Sequence, residues 1–322
     1  MKRIFFLFFL LAITGPLYSW GFYGHRKINQ LAVFLLPPDM LIFYKAHIPY
    51  LTEHAVDPDK RRYILPEEGP RHYIDMDKYG QAPWDSLPRN WEDAVKKYTA
   101  DTLQKNGIVP WWIQTMLQRL TRAFRDKDQA RILKLSADLG HYIADAHVPL
   151  HASSNHNGQF TNQRGIHGFW ESRLPELLAE TQWDFFIGQA IYIERPLSFT
   201  WDRVLESARA ADTVLMEEKK LNDEFPPDKK YAFEERNGTV IRQYSAAYSI
   251  RYNERMRGMV ERRMRQSVFA VASFWYTAWV NAGQPDLRNL INTVTSPEEE
   301  TEWEQLNQAW KNGRIQGREH DH

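Results

Sequence analysis

Residues 129–146 read QARILKLSADLGHYIADA, and apolar side chains return in this stretch at intervals of three and four residues. That interval places them on one face of an α-helix, which can then pack against other helices. On the same helix His141 and Asp145 stand four residues apart, so their side chains leave the same face. This stretch therefore predicts both a packed helix and the beginning of a polar site on it.

The same helical periodicity recurs along most of the chain. The further periodic segments are 26–36, 91–105, 111–124, 169–180, 201–220 and about 245–279. Stretches rich in Pro, Gly and Asp separate these segments, and no run of alternating residues predicts a strand. We therefore expect an all-α fold, in which residues 20–311 form a single multi-helix domain and residues 312–322 form a frayed polar tail.

Residues 1–19 have the composition of a secretory signal peptide. Lys2 and Arg3 precede an apolar run at 4–13 that is too short to span a bilayer comfortably. An uncleaved anchor is the alternative, and no later stretch is apolar enough for a membrane helix. We expect cleavage before Trp20 and a mature protein that is secreted or periplasmic and is not stably inserted in a membrane.

Charge and cysteine content exclude several classes of function. The 322 residues contain 41 basic and 41 acidic side chains, so no overall charge steers the chain toward nucleic acid, although a local basic groove is compatible with this balance. Cysteine is absent, which excludes disulfides, thiolate metal sites and cysteine nucleophiles. Any metal must therefore bind to His, Asp, Glu or backbone groups. Nothing in the sequence indicates a protein partner.

The histidines are densest in one region, residues 139–174. His167 and Glu171 repeat the four-residue spacing of the first His and Asp pair, and His151 follows Pro149, which ends the first helix. One such pair is usually a surface or capping interaction, whereas two pairs and a turn histidine within about thirty residues indicate a metal site. Their nitrogen and carboxylate ligands suit Zn²⁺, with bonds of roughly 2.0–2.2 Å.

Other polar residues leave alternatives open. His147 lies only two residues from the first Asp and so on a different helical face, which favours a structural role. His156 stands in a polar loop and is expected to face solvent. Upstream, either Asp57 or Asp59 could supply a further carboxylate, and spacing alone does not choose between them. His72 follows in the same region and is a further candidate ligand.

Four motifs together resemble one superfamily of enzymes. They are WGFYGH at 20–25, RHYID at 71–75, the HxxxDxxxxxH pattern within HYIADAHVPLH at 141–151, and HGFWE at 167–171. In this order they resemble the bacterial zinc-dependent phospholipases C and the fungal and plant single-strand-specific zinc nucleases (the S-one/P-one type). The resemblance implies an all-α protein with a cluster of three zinc ions at the bottom of a cleft.

Carried over to this sequence, the resemblance implies the ligands of each zinc ion. The first ion is held by the α-amino and carbonyl groups of Trp20, by His25 and by a shared Asp145. The second is held by His72, His141 and the same Asp145. Cleavage before residue 20 would then be needed to form the first site, because a free amine can ligate zinc, whereas an amide nitrogen cannot.

The resemblance also implies the third site and the catalytic group. The third ion is held by His151, His167 and Glu171. Asp57 is expected close enough to the second ion to ligate it or to act as the general base on the attacking water. Zinc ions neutralise a phosphodiester, lower the pKa of a bound water and stabilise the leaving alkoxide, so no covalent enzyme intermediate is needed.

The choice of phosphodiester depends on weaker features. In the nucleases of the superfamily, positions similar to Tyr73 and Asp75 hold an aromatic that stacks on a base and an acid that hydrogen-bonds it. The alternative is that Tyr73 packs in the core and Asp75 forms a cap or an ion pair. Glu171 in place of the usual Asp, and the short loop before His167, match the phospholipase pattern instead.

We therefore expect a secreted three-zinc phosphodiesterase that cleaves phospholipid headgroups in the manner of a phospholipase C. The first alternative is a single-strand-specific nuclease acting on DNA or RNA. The second is a zinc-binding protein without catalytic activity on the same scaffold.

Overall fold

The fold is described from a computed structural model. It describes residues 21–80, 86–236, 238–291, 297–313 and 315–316. The predicted signal peptide at 1–19, its cleavage point, the proposed ligand Trp20 and the last residues of the predicted tail lie outside this set.

The described residues are mostly helical, which confirms the all-α prediction. The α-helices are α1 (Gly21–Ala32), α2 (Pro38–Ala46), α3 (Ile48–Glu53), α4 (Asp57–Arg61), α5 (Trp91–Tyr98), α6 (Ala100–Asn106), α7 (Val109–Asp126), α8 (Gln129–Asp145), α9 (Ile166–Gly168), α10 (Leu174–Leu178), α11 (Pro196–Glu224), α12 (Ala246–Arg255), α13 (Met259–Asn281) and α14 (Pro297–Asn312). Short 3₁₀ turns connect several of them, and a π-helical turn, Phe169–Arg173, joins α9 to α10. No helix in this part of the chain is both long and apolar enough to cross a bilayer.

Two predicted helices are divided in the structure. The segment 91–105 is split between α5 and α6 at Thr99, whose φ is 68°. The segment 245–279 is split between α12 and α13 at Gly258, whose φ is 70°. A residue in this left-handed region ends one helix, and the apolar periodicity on either side gives no sign of the break.

The prediction that the chain has no strands is wrong at one point. Strands β1 (Tyr231–Arg236) and β2 (Thr239–Tyr244) pair as an antiparallel hairpin, turning through Gly238, whose φ is 76°. Alternation of apolar residues marks a strand when one face is buried. Here Phe233 is 75% exposed and Val240 is 66% exposed, so that signal is weak.

The centre of the molecule is α8, which packs against α1, α7 and α13. Every residue from Ser136 to Asp145 is buried, so polar as well as apolar side chains of this helix face the interior. Helices α1 and α8 cross closely at Asn29 of α1. The side-chain amide of Asn29 donates to the carbonyl oxygens of Ala137 and Leu51 at 3.1 and 3.3 Å. This crossing places the end of α8 against the first helix of the chain.

The close approach of α1 and α8 depends on Gly140. A Cβ atom at this position would lie 2.0 Å from Asn29 Oδ1. We expect Gly140→Ala to lower the free energy of unfolding by about 1–3 kcal/mol, because the added methyl group forces the helices apart. Chemical denaturation measures this change. In the control Gly168→Ala the added Cβ meets no atom within 4 Å, so stability should not fall. Equal stability of the two variants would contradict the assigned packing.

Candidate metal centre

The last turn of α8 holds a buried carboxylate that is surrounded by imidazoles. Asp145 is 1% exposed. Its Oδ1 lies 3.4 Å from His25 Nε2 and 3.9 Å from His151 Nε2. Its Oδ2 lies 2.9 Å from His72 Nδ1 and 3.2 Å from His141 Nε2. One carboxylate therefore presents each of its oxygens to a different pair of histidines.

Distant segments of the chain bring these side chains together. His25 lies on α1, which packs across α8, and its ring stacks on that of His141 at 3.8 Å. His72 follows the 3₁₀ turn Pro66–Arg71, and His151 lies in the turn that Pro149 begins after α8. The expected spacing of four residues on α8 places His141 and Asp145 on the same buried face, as the sequence predicts.

A second group of ligands adjoins the first. Its members are His151, His167 and Glu171. Glu171 Oε2 lies 3.1 Å from His167 Nε2 and 3.5 Å from His151 Nε2, and the two imidazole nitrogens are 3.2 Å apart. Glu171 is on the π-helical turn, a widened turn that is frequent at functional sites.

Backbone carbonyl groups fix the tautomers of three of the histidines. The hydrogen bonds are His141 Nδ1 to Ala55 O at 2.9 Å, His151 Nδ1 to His72 O at 2.6 Å and His167 Nδ1 to His156 O at 3.0 Å. A carbonyl can only accept, so each Nδ1 donates, and each Nε2 of a neutral ring then carries a lone pair directed into the cluster. Metal-ligating histidines are held in this way in many sites.

When their rings are neutral, the Nε2 atoms of His141, His151 and His167 are therefore acceptors that face the carboxylates of the cluster. His141 Nε2 lies 3.0 Å from His72 Nδ1, and both face the carboxylate of Asp145. Lone pairs at this separation repel unless a cation or a proton lies between them. The donor set of imidazole nitrogens and carboxylate oxygens, all buried, fits a divalent metal ion.

The carboxylates of the cluster stay ionised despite their burial. Burial by itself would raise the pKa of Asp145, but the adjacent His141 and His151 hold it well below its ordinary value. The same balance holds for Glu171. Burial by itself would raise the pKa of its carboxyl group, but His167 and His151 lower it below the ordinary value. Negative charge is thus retained at the centre, where it attracts a cation.

The structure separates the two upstream carboxylates. Asp59 Oδ1 lies 3.7 Å from both His72 Nδ1 and His141 Nε2. Burial by itself would raise the pKa of Asp59, but these two histidines lower it to about 2. Asp57, expected as the catalytic group, instead contacts His54 Nδ1 at 2.6 Å and Lys60 Nζ at 3.1 Å. Two residues apart on the short helix α4, the carboxylates leave different faces.

Glu68 is a residue that the sequence analysis missed. It is fully buried, and its Oε1 lies 3.6 Å from His72 Nε2 on the ring edge away from Asp145. Arg71 Nη1 lies 2.5 Å from its Oε2, and Tyr142 OH also donates to it. A carboxylate behind a ligating histidine orients the ring. The signal was present in the sequence, because Glu68 and His72 are four residues apart.

The remaining predicted residues are placed as follows. His147 is buried, and its Nδ1 lies 2.7 Å from Ile143 O, in keeping with a structural role. Tyr73 is 5% exposed and its hydroxyl donates to Lys105 O at 3.4 Å, which favours the packing interpretation. Asp75 is buried beside it. His156, expected to face solvent, is half-buried and its carbonyl anchors a ligand.

Comparison with known proteins agrees with this site. A sequence model of the S1/P1 nuclease family matches residues 20–274, a range that contains every member of both ligand groups. No curated protein compared with the chain matches it. Since the match covers most of the sequence, the chain belongs to the S1/P1 nuclease family, whose members are metal-dependent hydrolases of phosphodiester bonds.

Proposed function

We propose that this protein is a secreted, zinc-dependent nuclease that hydrolyses phosphodiester bonds in single-stranded nucleic acid. The observation that carries the proposal is the buried carboxylate of Asp145, shared by two pairs of histidines within a chain of the S1/P1 nuclease family. The family match favours a nuclease over the phospholipase C that the sequence analysis preferred. That preference rested on the short loop before His167 and on Glu171 in place of Asp. The second is a weak distinction, because both residues supply a carboxylate.

Three zinc ions account for the ligand groups. One ion would lie between His72, His141, Asp59 and Oδ2 of Asp145. A second would lie among the three members of the group formed by His151, His167 and Glu171. The third would be held by His25, by Oδ1 of Asp145 and by the terminal amine of Trp20.

The ligand role of Trp20 is supported by its neighbour in the sequence. The backbone N–H of Gly21 donates to Ser172 Oγ at 3.0 Å, and Ser172 follows the ligand Glu171. Gly21 therefore contacts the residue next to a ligand, and Trp20 is bonded directly to Gly21 in the sequence. The proposed signal-peptide cleavage would then also complete the site.

The residues of the chain have distinct roles in the proposed reaction. Zinc ions, when bound, would neutralise the phosphate oxygens and lower the pKa of a water molecule. Asp145 sets the positions of two ligand groups through its two oxygens, and Glu68 orients the ring of His72. Asp59, ionised and beside His72 and His141, can orient an attacking water and accept its proton. Tyr73 and Asp75 are buried beside His72, so we propose that they support this segment and do not stack on or hydrogen-bond a base.

The two carboxylates of α4 allow a direct test of these roles. We expect Asp59→Asn to lower kcat on single-stranded DNA by at least about 100-fold, because a carboxylate at the metal centre is lost. Asp57→Asn should stay within about tenfold of the parent protein. Both turnover and melting temperature should be measured, since each side chain is buried. An equal loss of turnover in the two variants at equal stability would contradict the assignment to Asp59.

The second ligand group predicts a specific loss of metal. We expect Glu171→Gln to release about one zinc ion per chain, because the neutral amide is a poorer ligand than the carboxylate. Elemental analysis of the purified protein measures the ratio. The matched control is Glu218→Gln, a buried acid that contacts Gln163, Lys230 and Tyr248 but no histidine. The control should keep its full metal content, and an unchanged content in Glu171→Gln would refute this ligand set.

The substrate is tested by comparing diesters with one preparation of the mature protein. We expect cleavage of single-stranded DNA and RNA, and loss of this activity when a chelator removes the metal. Phosphatidylcholine should be cleaved at least about 100-fold more slowly than the single strands, if at all. Preferential cleavage of phosphatidylcholine would restore the phospholipase interpretation. Hydrolysis of neither, with zinc bound, would support the non-catalytic alternative.

A further inference from the structure

The exposed side of α7 carries three arginines in a row. Arg119, Arg122 and Arg125 are exposed and stand three residues apart, and the helix has no acidic residue before Asp126. Within the described part of the chain, none of the three forms an ion pair with a carboxylate. Other faces of the helix pack against α8, α11 and α13. We call this exposed row the arginine track.

The arrangement is costly for an isolated helix. Like charges three residues apart repel one another, and the helix dipole favours a cation only in the last turn, where Arg125 lies. Arg119 is two turns further from the end. Several other surface arginines are neutralised, as Arg131 is by Asp126 at 3.4 Å and Arg251 by Glu254 at 2.8 Å. Three unneutralised guanidinium groups at successive turns of one helix are suited to an anionic ligand.

The arginine track lies on a helix whose start adjoins the segment that carries His72, because Val109 N donates to Tyr73 O at 3.2 Å. Two guanidinium groups contact the ring of Trp112, near the start of α7: Arg71 Cζ is 4.1 Å and Arg119 Cζ is 4.9 Å from its centroid. Arg71 directly precedes the ligand His72 and also contacts Glu68. From Trp112 to Arg125 the helix rises about 20 Å, which is enough for several nucleotides of an extended strand.

The far end of the track opens into a polar depression of about 540 Å³. Gln118, Thr121, Arg122 and Arg125 line it, and Arg125 Nη2 donates to the carbonyl oxygen of Asn281 at 3.0 Å. This hydrogen bond leaves the other guanidinium N–H groups of Arg125 available. The depression can therefore hold a charged backbone group while one side of it is anchored to α13.

We propose that the arginine track binds consecutive phosphates of a single-stranded nucleic acid whose scissile bond lies at the metal centre. Guanidinium groups pair with phosphates through two parallel hydrogen bonds, and an extended strand presents one phosphate per nucleotide. A phospholipid headgroup carries one diester and cannot occupy charges spread over this length. The inference rests on the proposed nuclease function and adds to it the surface along which the strand beyond the scissile bond lies.

The test compares a long with a short substrate on the zinc-loaded protein. We expect the triple variant Arg119→Gln, Arg122→Gln and Arg125→Gln to lower kcat/KM on a 12-nucleotide single strand by at least about tenfold more than on a dinucleotide. The dependence of log KM on log salt should also become shallower by about two, since each lost phosphate contact on a single strand contributes roughly 0.7.

A second triple variant controls for net charge. Lys220→Gln, Arg251→Gln and Arg288→Gln remove three exposed cations that are each paired with a neighbouring carboxylate. The kcat/KM of this control variant on both substrates should match that of the parent protein. If the track variant lowers kcat/KM equally on both substrates, or on neither, the proposed role of the arginine track is refuted while the nuclease function stands. If the parent protein cleaves neither substrate, the proposed function itself fails, and this inference with it.

Discussion

The buried charge of Asp145 is the constraint on which this structure depends. An ionised carboxylate in a helical core is unfavourable unless groups of opposite or polarisable character surround it. Four histidines from separated parts of the chain do so, at 2.9–3.9 Å. Because two of them lie on α1 and in the loop ending at His72, satisfying this carboxylate also determines where those segments pack. Fold and metal centre are therefore one arrangement.

A layer of supporting contacts extends outward from the ligands. Glu68 lies behind His72, and Arg61 connects Glu68 to the core. Arg61 Nη2 lies 3.0 Å from Asp138 and 3.2 Å from Tyr142 OH. The short helix α4 makes contacts on two faces: Asp59 faces the ligands, and Asp57 faces His54. Helix α14 lies beyond the family match and packs against α4, with Lys60 Nζ 5.5 Å from the ring of Trp303. A segment outside the family's common region thus supports the helix that carries Asp59.

The chemistry of the centre and the choice of substrate are decided in different parts of the molecule. Buried imidazoles and carboxylates can activate water against any phosphodiester, so they do not distinguish a lipid from a nucleic acid. Discrimination must come from surfaces around the centre. The balanced total of basic and acidic residues conceals a local excess of positive charge on α7, because ion pairs neutralise many of the other cations of the described surface.

The sequence alone determined the features that depend on near neighbours in the chain. Helical periodicity predicted the all-α class, and the pairs His141–Asp145 and His167–Glu171 followed from four-residue spacing. Only the tertiary structure decided which of Asp57 and Asp59 approaches the ligands, and that the exposed hairpin forms. The physical reason is that spacing within one helix fixes which side chains share a face. Contacts between segments more than ten residues apart depend instead on how helices pack, and a linear pattern does not record that.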